Sequence, residues 1–238
     1  MRWLARDEEA LPAGLLWLTP AEATRAARLR HPKRRTEYLL RRLAGKHAVA
    51  AVLGLPVDPA GLARIEVANA PSGAPYAMVD GAPAGVEISL TDRAGRAVCV
   101  VDTGPVGCDL EVVEPRSPAF VNDFLTGPER AYVTGRPDAD ARDAAANLVW
   151  SAKESALKVL RTGLRRDTRS VAVAIQDGPP GAWAPLTVRA VEGTVFHGWW
   201  RRDGQFLFTV AAPQPGPPPV ALEPAAGLGG SGPGPAAS

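Results

Sequence analysis

Residues 144–161 read AAANLVWSAKESALKVLR, the strongest helix signal in the chain. Thr162-Gly163 ends it, with Gly163 the natural C′ residue. Four strands are expected beyond it, at 169–175, 185–191, 194–201 and 206–211. Before it lie a short helix or turn over Pro118–Arg130 and three strand-like runs, GVEISL, RAVCVVD and VGCDLEVV. Asp102-Thr103-Gly104-Pro105 between the last two suits a tight antiparallel connection. Further upstream, residues 63–69 alternate like a strand, and Ala70–Ala84 is turn-rich and expected as loop. Residues 20–53 are expected to be helical, opened by Thr19 as cap and Pro20 in the first turn and interrupted at His31-Pro32. Helices then strands, followed by helix then strands, give an α+β fold of two similar halves. The boundaries are 1–104 for an N-terminal subdomain, 105–212 for a C-terminal one and 213–238 for a tail.

Composition agrees with that division. The 238 residues are 46% hydrophobic and 22% charged, with 24 Gly and 24 Pro. Eight of those prolines and six of the glycines fall in 213–238, which has little to bury and is expected to be disordered. A net charge of +2 excludes a polybasic nucleic-acid binder, and no run approaches the length of a membrane span. Charges flank the apolar LPAGLLWL near the N-terminus, against a signal peptide. Cys99 and Cys108 are expected as buried free thiols in a cytoplasmic protein. The near-neutral total hides an uneven spread, since the first fifty residues hold 11 Lys and Arg against 5 Asp and Glu. This stretch suits either a solvated helix face or a cationic surface for phosphates. Only four of the 27 basic residues are Lys, and two of them, Lys153 and Lys158, share the helix of the opening stretch.

Three segments carry chemistry. In Gly107-Cys108-Asp109-Leu110-Glu111, a strand puts Asp109 and Glu111 on one face and Cys108 and Leu110 on the other. Such a carboxylate pair fits an exposed acidic face, or a cation such as Mg²⁺ that takes oxygen ligands and phosphate oxygens. In Trp150-Ser151-Ala152-Lys153-Glu154-Ser155-Ala156-Leu157-Lys158, Glu154 and Lys158 are helix neighbours four residues apart. Alone they fit a surface ion pair, but a Trp one turn away argues for partial burial. The third segment, Phe124-Leu125-Thr126-Gly127-Pro128-Glu129, is by itself a turn with a charged end.

Taken in order, GCDLE (107–111), FLTGPE (124–129) and WSAKESALK (150–158) resemble the Sfp-type 4′-phosphopantetheinyl transferases. The resemblance is strong over 105–175, where Gly163-Leu164 and RSVAV continue the pattern, and weaker upstream. It implies two α+β subdomains packed as a pseudo-dimer, with coenzyme A between them. The implied reaction moves the phosphopantetheine arm of coenzyme A to a serine of an apo acyl or peptidyl carrier protein and releases 3′,5′-ADP. The metal ligands it implies for Mg²⁺ are Asp109, Glu111 and Glu154. Glu154, or a water on the metal, would take the serine proton, and Lys158 would serve the departing phosphate. Lys153 would help bind the diphosphate, and Glu129 is a further candidate for the metal shell or for orienting its loop. Arg42 best matches the position that meets the 3′-phosphate, with Arg25 and Arg35 as outside candidates. Arg161, Arg165, Arg166 and Arg169 could dock an acidic carrier protein or simply form a soluble surface. A monomer is expected.

Two positions depart from the family pattern. Asp92 stands where the Ser89-Leu90-Thr91 run is usually followed by His, and Ala74 stands where a Lys is usual between Gly73 and Pro75. Both remove positive charge from the coenzyme site. Asp92 should repel the diphosphate unless it binds Mg²⁺ or pairs with Arg93, and compensation is expected from Arg93 or Arg96. The alternative is a family member that binds coenzyme A or a carrier protein without transferring.

Overall fold

The computed structural model describes residues 1–162, 166–179 and 181–222. The chain opens with a strand, β1 (Arg2–Asp7), that its charged ends conceal in the sequence. Its neighbours Trp3 and Leu4 point to opposite faces and enter different cores. Helix α1 (Pro20–Arg28) begins where Thr19 and Glu22 close a capping box. Helix α2 (Pro32–Leu53) follows the His31-Pro32 break and stops at Gly54, whose φ of 68° is the left-handed cap a glycine takes readily. A short helix, α3 (Pro59–Ala63), leads into an antiparallel sheet of β2 (Ile65–Asn69), β3 (Pro75–Val79) and β4 (Ala82–Pro83). The stretch expected as loop over 70–84 therefore contains two strands. β3 buries only Ala77, too little apolar pattern to stand out among turn residues. β5 (Glu87–Arg93) and β6 (Arg96–Asp102) complete the first half as a hairpin joined to β1. β6 is buried on both sides, with Ala97, Cys99 and Val101 packed in the core that holds α2 and Val98 and Val100 in a second core.

The second half comprises β7 (Gly107–Val112), α4 (Pro118–Phe124), α5 (Gly127–Thr134) and α6 (Ala139–Val159), then β8 (Val171–Ile175), β9 (Ala184–Ala190), β10 (Val195–Asp203) and β11 (Phe206–Ala212). Its strands form one sheet in the order β7-β11-β10-β9-β8, and α6 packs Ala152, Ala156 and Leu157 onto it. The end of α6 differs from expectation. Arg161, not Gly163, takes the left-handed C′ position, with its N–H on the Lys158 carbonyl and the Thr162 N–H on that of Leu157. Gly163, Leu164 and Arg165 lie outside the described residues. The fold also runs ten residues past the expected boundary at 212. A short strand, β12 (Val220–Ala221), pairs in parallel with β1, and the Leu222 N–H donates to the Trp3 carbonyl at 2.8 Å. Residues 223–238 of the expected tail lie outside the described residues.

Each half contains the same buried device. In the first, Lys46 of α2 lies 2.6 Å from Glu22 and donates to the Trp17 and Leu62 carbonyls, while Glu22 accepts from the N–H groups of Thr19 and Val67. In the second, Lys153 of α6 lies 2.9 Å from Glu129 and donates to the Thr168 and Val171 carbonyls, while Glu129 accepts from Thr126 and Val173. Both glutamates belong to a capping box, and both valines sit on the strand after the long helix.

The halves meet without a shared ladder. β5 and β7 lie side by side, and hydroxyls replace strand pairing: the Cys108 N–H donates to Ser89 Oγ at 2.9 Å and the Leu110 N–H to Thr91 Oγ1 at 3.1 Å. Trp3, Val98 and Val100 pack there with Leu110, Phe208 and Val210. Residues 102–105 thus carry the chain from one sheet to the other, and the antiparallel connection expected there is absent, since β6 pairs with β1 and β5 while β7 pairs with β11. Cys99 and Cys108 are buried free thiols. Among the described residues, no helix is long and apolar enough to cross a membrane.

Candidate active site

The residues at 150–158 divide their work between docking α6 and presenting chemistry. Gly107 permits the close approach, because a methyl there would lie 1.9 Å from the Ser155 carbonyl oxygen. Ser151 and Ser155 hydrogen-bond Thr209 Oγ1 of β11 at 2.8 and 2.7 Å, all three fully buried. Trp150 donates from Nε1 to Glu111 at 3.1 Å. With the helix so fixed, Glu154 and Lys158 meet the carboxylates of β7.

Lys158 donates to Asp109 Oδ1 at 2.9 Å and to the Cys108 carbonyl at 2.8 Å, and Thr91 donates to the same Asp109 oxygen at 3.2 Å. The other oxygen of Asp109 and Oε1 of Glu154 are buried without a hydrogen-bond partner. Burial, with the Asp109 charge behind it and Lys158 opposing, pushes the Glu154 carboxyl up to about 7. Burial and Asp109 also raise Glu111, against Arg93 and Arg116. Burial alone would lower the Lys158 ammonium, but Asp109 and Cys108 outweigh it and hold Lys158 above the usual lysine value.

Two orphaned carboxylate oxygens on acids held partly out of water fit a hard cation with oxygen ligands. Among the described residues, no three Asp, Glu, His or Cys side chains already converge as a finished metal cage. Mg²⁺ needs no such cage, since it keeps waters and takes one or two carboxylates plus phosphate oxygens. Glu111 stands beside this pair with both oxygens engaged, by Trp150 on one side and by Arg116 at 3.3 Å on the other.

Several expected site residues are engaged with other partners. Lys153 is 0% exposed, and its three N–H groups are spent on Glu129, Thr168 and Val171, so it cannot reach a diphosphate. Glu129 is its partner, with its oxygens taken by Lys153 and by the N–H groups of Thr126 and Val173. Arg93 pairs with Glu114 at 2.6 Å and Glu111 at 3.4 Å. The partner of Asp92 is Arg41, a residue that nothing in the sequence distinguishes from its basic neighbours. Arg96 stacks over Phe206 at 5.0 Å. The proposed docking arginines are also engaged, Arg161 with Glu87, Arg166 with Glu192 and Arg169 with Asp167.

A cleft of about 570 Å³ opens between the halves, beside β5 and the end of α6. Among the described residues, Arg25, Arg41, Arg42, Lys158 and Arg161 line it, and Glu87 is the one carboxylate to do so. Arg42 is buried in its wall, bonded to Asn69 at 2.8 Å and stacked 4.7 Å from the Tyr38 ring, with its Nε unpartnered. Arg35 is exposed and outside the lining. Lys158 joins the two regions, reaching Asp109 while lining the cleft.

Residues 105–202 match the family model described as the 4′-phosphopantetheinyl transferase superfamily. The match begins just before β7 and ends in β10, so it spans Asp109, Glu111, Glu154 and Lys158. No curated protein matches the chain.

Proposed function

We propose that the protein transfers the 4′-phosphopantetheine arm of coenzyme A to a serine of an apo acyl or peptidyl carrier protein in the cytoplasm, releasing 3′,5′-ADP. One observation carries this reading. The orphaned oxygens of Asp109 and Glu154 lie beside Lys158, and Lys158 opens onto a cleft lined by cations.

Asp109 and Glu154 would hold Mg²⁺, with Glu111 alongside. When bound, the ion would neutralise charge that develops on the diphosphate. The remaining work falls to side chains. Arg42, pre-set by Asn69 and Tyr38, and Arg25 offer cations to the 3′-phosphate. Glu154 takes the proton of the serine hydroxyl as its oxygen bonds to phosphorus. As the phosphorus–oxygen bond of the diphosphate breaks, Lys158 holds the phosphate that leaves as part of 3′,5′-ADP.

The pairing of Asp92 with Arg41 bears on the binding-only alternative. An anion at 92 would repel a diphosphate if it were bare, and here a guanidinium answers it. That supports turnover. The test is release of 3′,5′-ADP from coenzyme A and apo carrier protein. Release that requires both, and stops on magnesium chelation, supports the proposal. Coenzyme A binding without release across several carriers would leave the binding module in its place.

A further inference from the structure

Arg161 is a non-glycine residue with φ of 56°, in the left-handed region where a β-carbon is strained. The backbone holds it there through the two bonds that close α6, from the Arg161 N–H to Lys158 and from the Thr162 N–H to Leu157. The strain does not serve the helix, which a glycine would end more easily. What it does is send a guanidinium over the cleft, one turn beyond Lys158, to meet Glu87 of the other half at 2.8 Å. Among the described residues, Glu87 is the one carboxylate lining the cleft, against five Arg and Lys side chains. Arg161 is 52% exposed and Glu87 38%, so their ion pair is screened and gives way cheaply to a stronger anion.

We infer that Arg161 is a phosphate-binding residue of the cleft that Glu87 holds in reserve: an incoming diphosphate takes the guanidinium and releases Glu87. Charge-assisted, two-pronged bonds from a guanidinium to phosphate exceed those of a solvent-exposed ion pair. Its place beside Lys158 assigns it to the diphosphate and not to the 3′-phosphate, which falls to Arg25 and Arg42. The inference rests on the proposal that the cleft binds coenzyme A.

The two halves of one ion pair then have opposite effects on binding. Calorimetry of the full chain with coenzyme A and with dephospho-coenzyme A, in the presence of Mg²⁺, reads them. Arg161→Gly is expected to weaken both ligands by about tenfold while leaving thermal stability unchanged or higher, since the backbone strain is relieved. Glu87→Gln is expected to tighten both about threefold, because Arg161 is already released. If both substitutions weaken binding alike, the pair is a tether between halves and the inference falls. A loss confined to coenzyme A places Arg161 on the 3′-phosphate and overturns the assignment. Wild-type binding that Arg161→Gly leaves untouched overturns this inference alone, whereas no wild-type binding overturns it together with the proposal beneath it.

Discussion

Lys46 and Lys153 hold the same position in the two halves, each on the long helix, each buried, and each bound to the capping-box glutamate of the preceding helix. A compact ammonium can satisfy one carboxylate and two carbonyls in a space that a planar guanidinium would not fit. Burial pulls both ammoniums below the usual lysine value, and the glutamate opposes it. This accounts for two of the four lysines in an arginine-rich chain, and it separates Lys153 from Lys158, which does face the site.

Removing one member of such a pair strands the other. Lys153→Met is expected to lower unfolding free energy by about 3–5 kcal/mol in urea titrations, and Lys46→Met by a similar amount. The double variant Lys153→Met, Glu129→Leu should regain part of that stability and still bind coenzyme A. Failure of a stable double variant to bind would place Lys153 on the ligand after all.

Gly107 governs the spacing between α6 and β7. Gly107→Ala forces its methyl against the Ser155 carbonyl, and the helix must move, taking Glu154 and Lys158 from Asp109. A loss of about 1–3 kcal/mol from overpacking and a transfer rate reduced by more than tenfold are expected. Thermal melts and initial rates check both. An unperturbed rate would show that the helix can shift without disturbing the site.

Glu154 sets a pH dependence. It binds its proton more tightly folded, at about 7, than unfolded, near the ordinary 4.5. Its contribution to stability is therefore complete below pH 4.5, declines as the pH rises to about 7, and is constant above. Glu154→Gln should flatten that decline in the metal-free protein. Mg²⁺ uptake should release close to one proton at pH 6 and almost none at pH 8.5, as read by calorimetry in two buffers of different ionisation heat. Equal proton release at both values would sink the assignment of Glu154 as a raised acid.

Asp92 restrains Arg41. With Asp92→Asn the guanidinium is freed toward the cleft it lines, and coenzyme A is expected to bind several-fold more tightly at low salt, with the gain shrinking as salt is added. Weaker binding in this variant would mean that Asp92 itself serves the site.

The motif residues were legible because a strand fixes Asp109 and Glu111 by period two and a helix fixes Glu154 and Lys158 by one turn. Long helices and the four strands after α6 were legible for the same reason. What escaped was whatever depends on pairing between distant segments. β1 is short and charged at its ends, β3 buries one side chain, and the change of sheet at 102–105 looks locally like a hairpin. Lys153 looked like a ligand because the spacing of a motif cannot tell a residue facing the site from one facing the core. The matched devices around Lys46 and Lys153 rest on too few side chains to register as a repeat. The tail boundary was set by Pro and Gly content, yet backbone hydrogen bonds to β1 tie Val220 and Leu222 into the fold.

The central claim is that this site attaches phosphopantetheine to a carrier serine, and the intact mass of an apo carrier protein tests it most directly. After incubation with the protein, coenzyme A and Mg²⁺, the carrier should gain one phosphopantetheine. That gain should vanish with Glu154→Gln, while the variant remains folded and is more stable than wild type above pH 7 in the absence of metal. An unchanged mass with every carrier offered, or an undiminished gain with Glu154→Gln, would contradict the account.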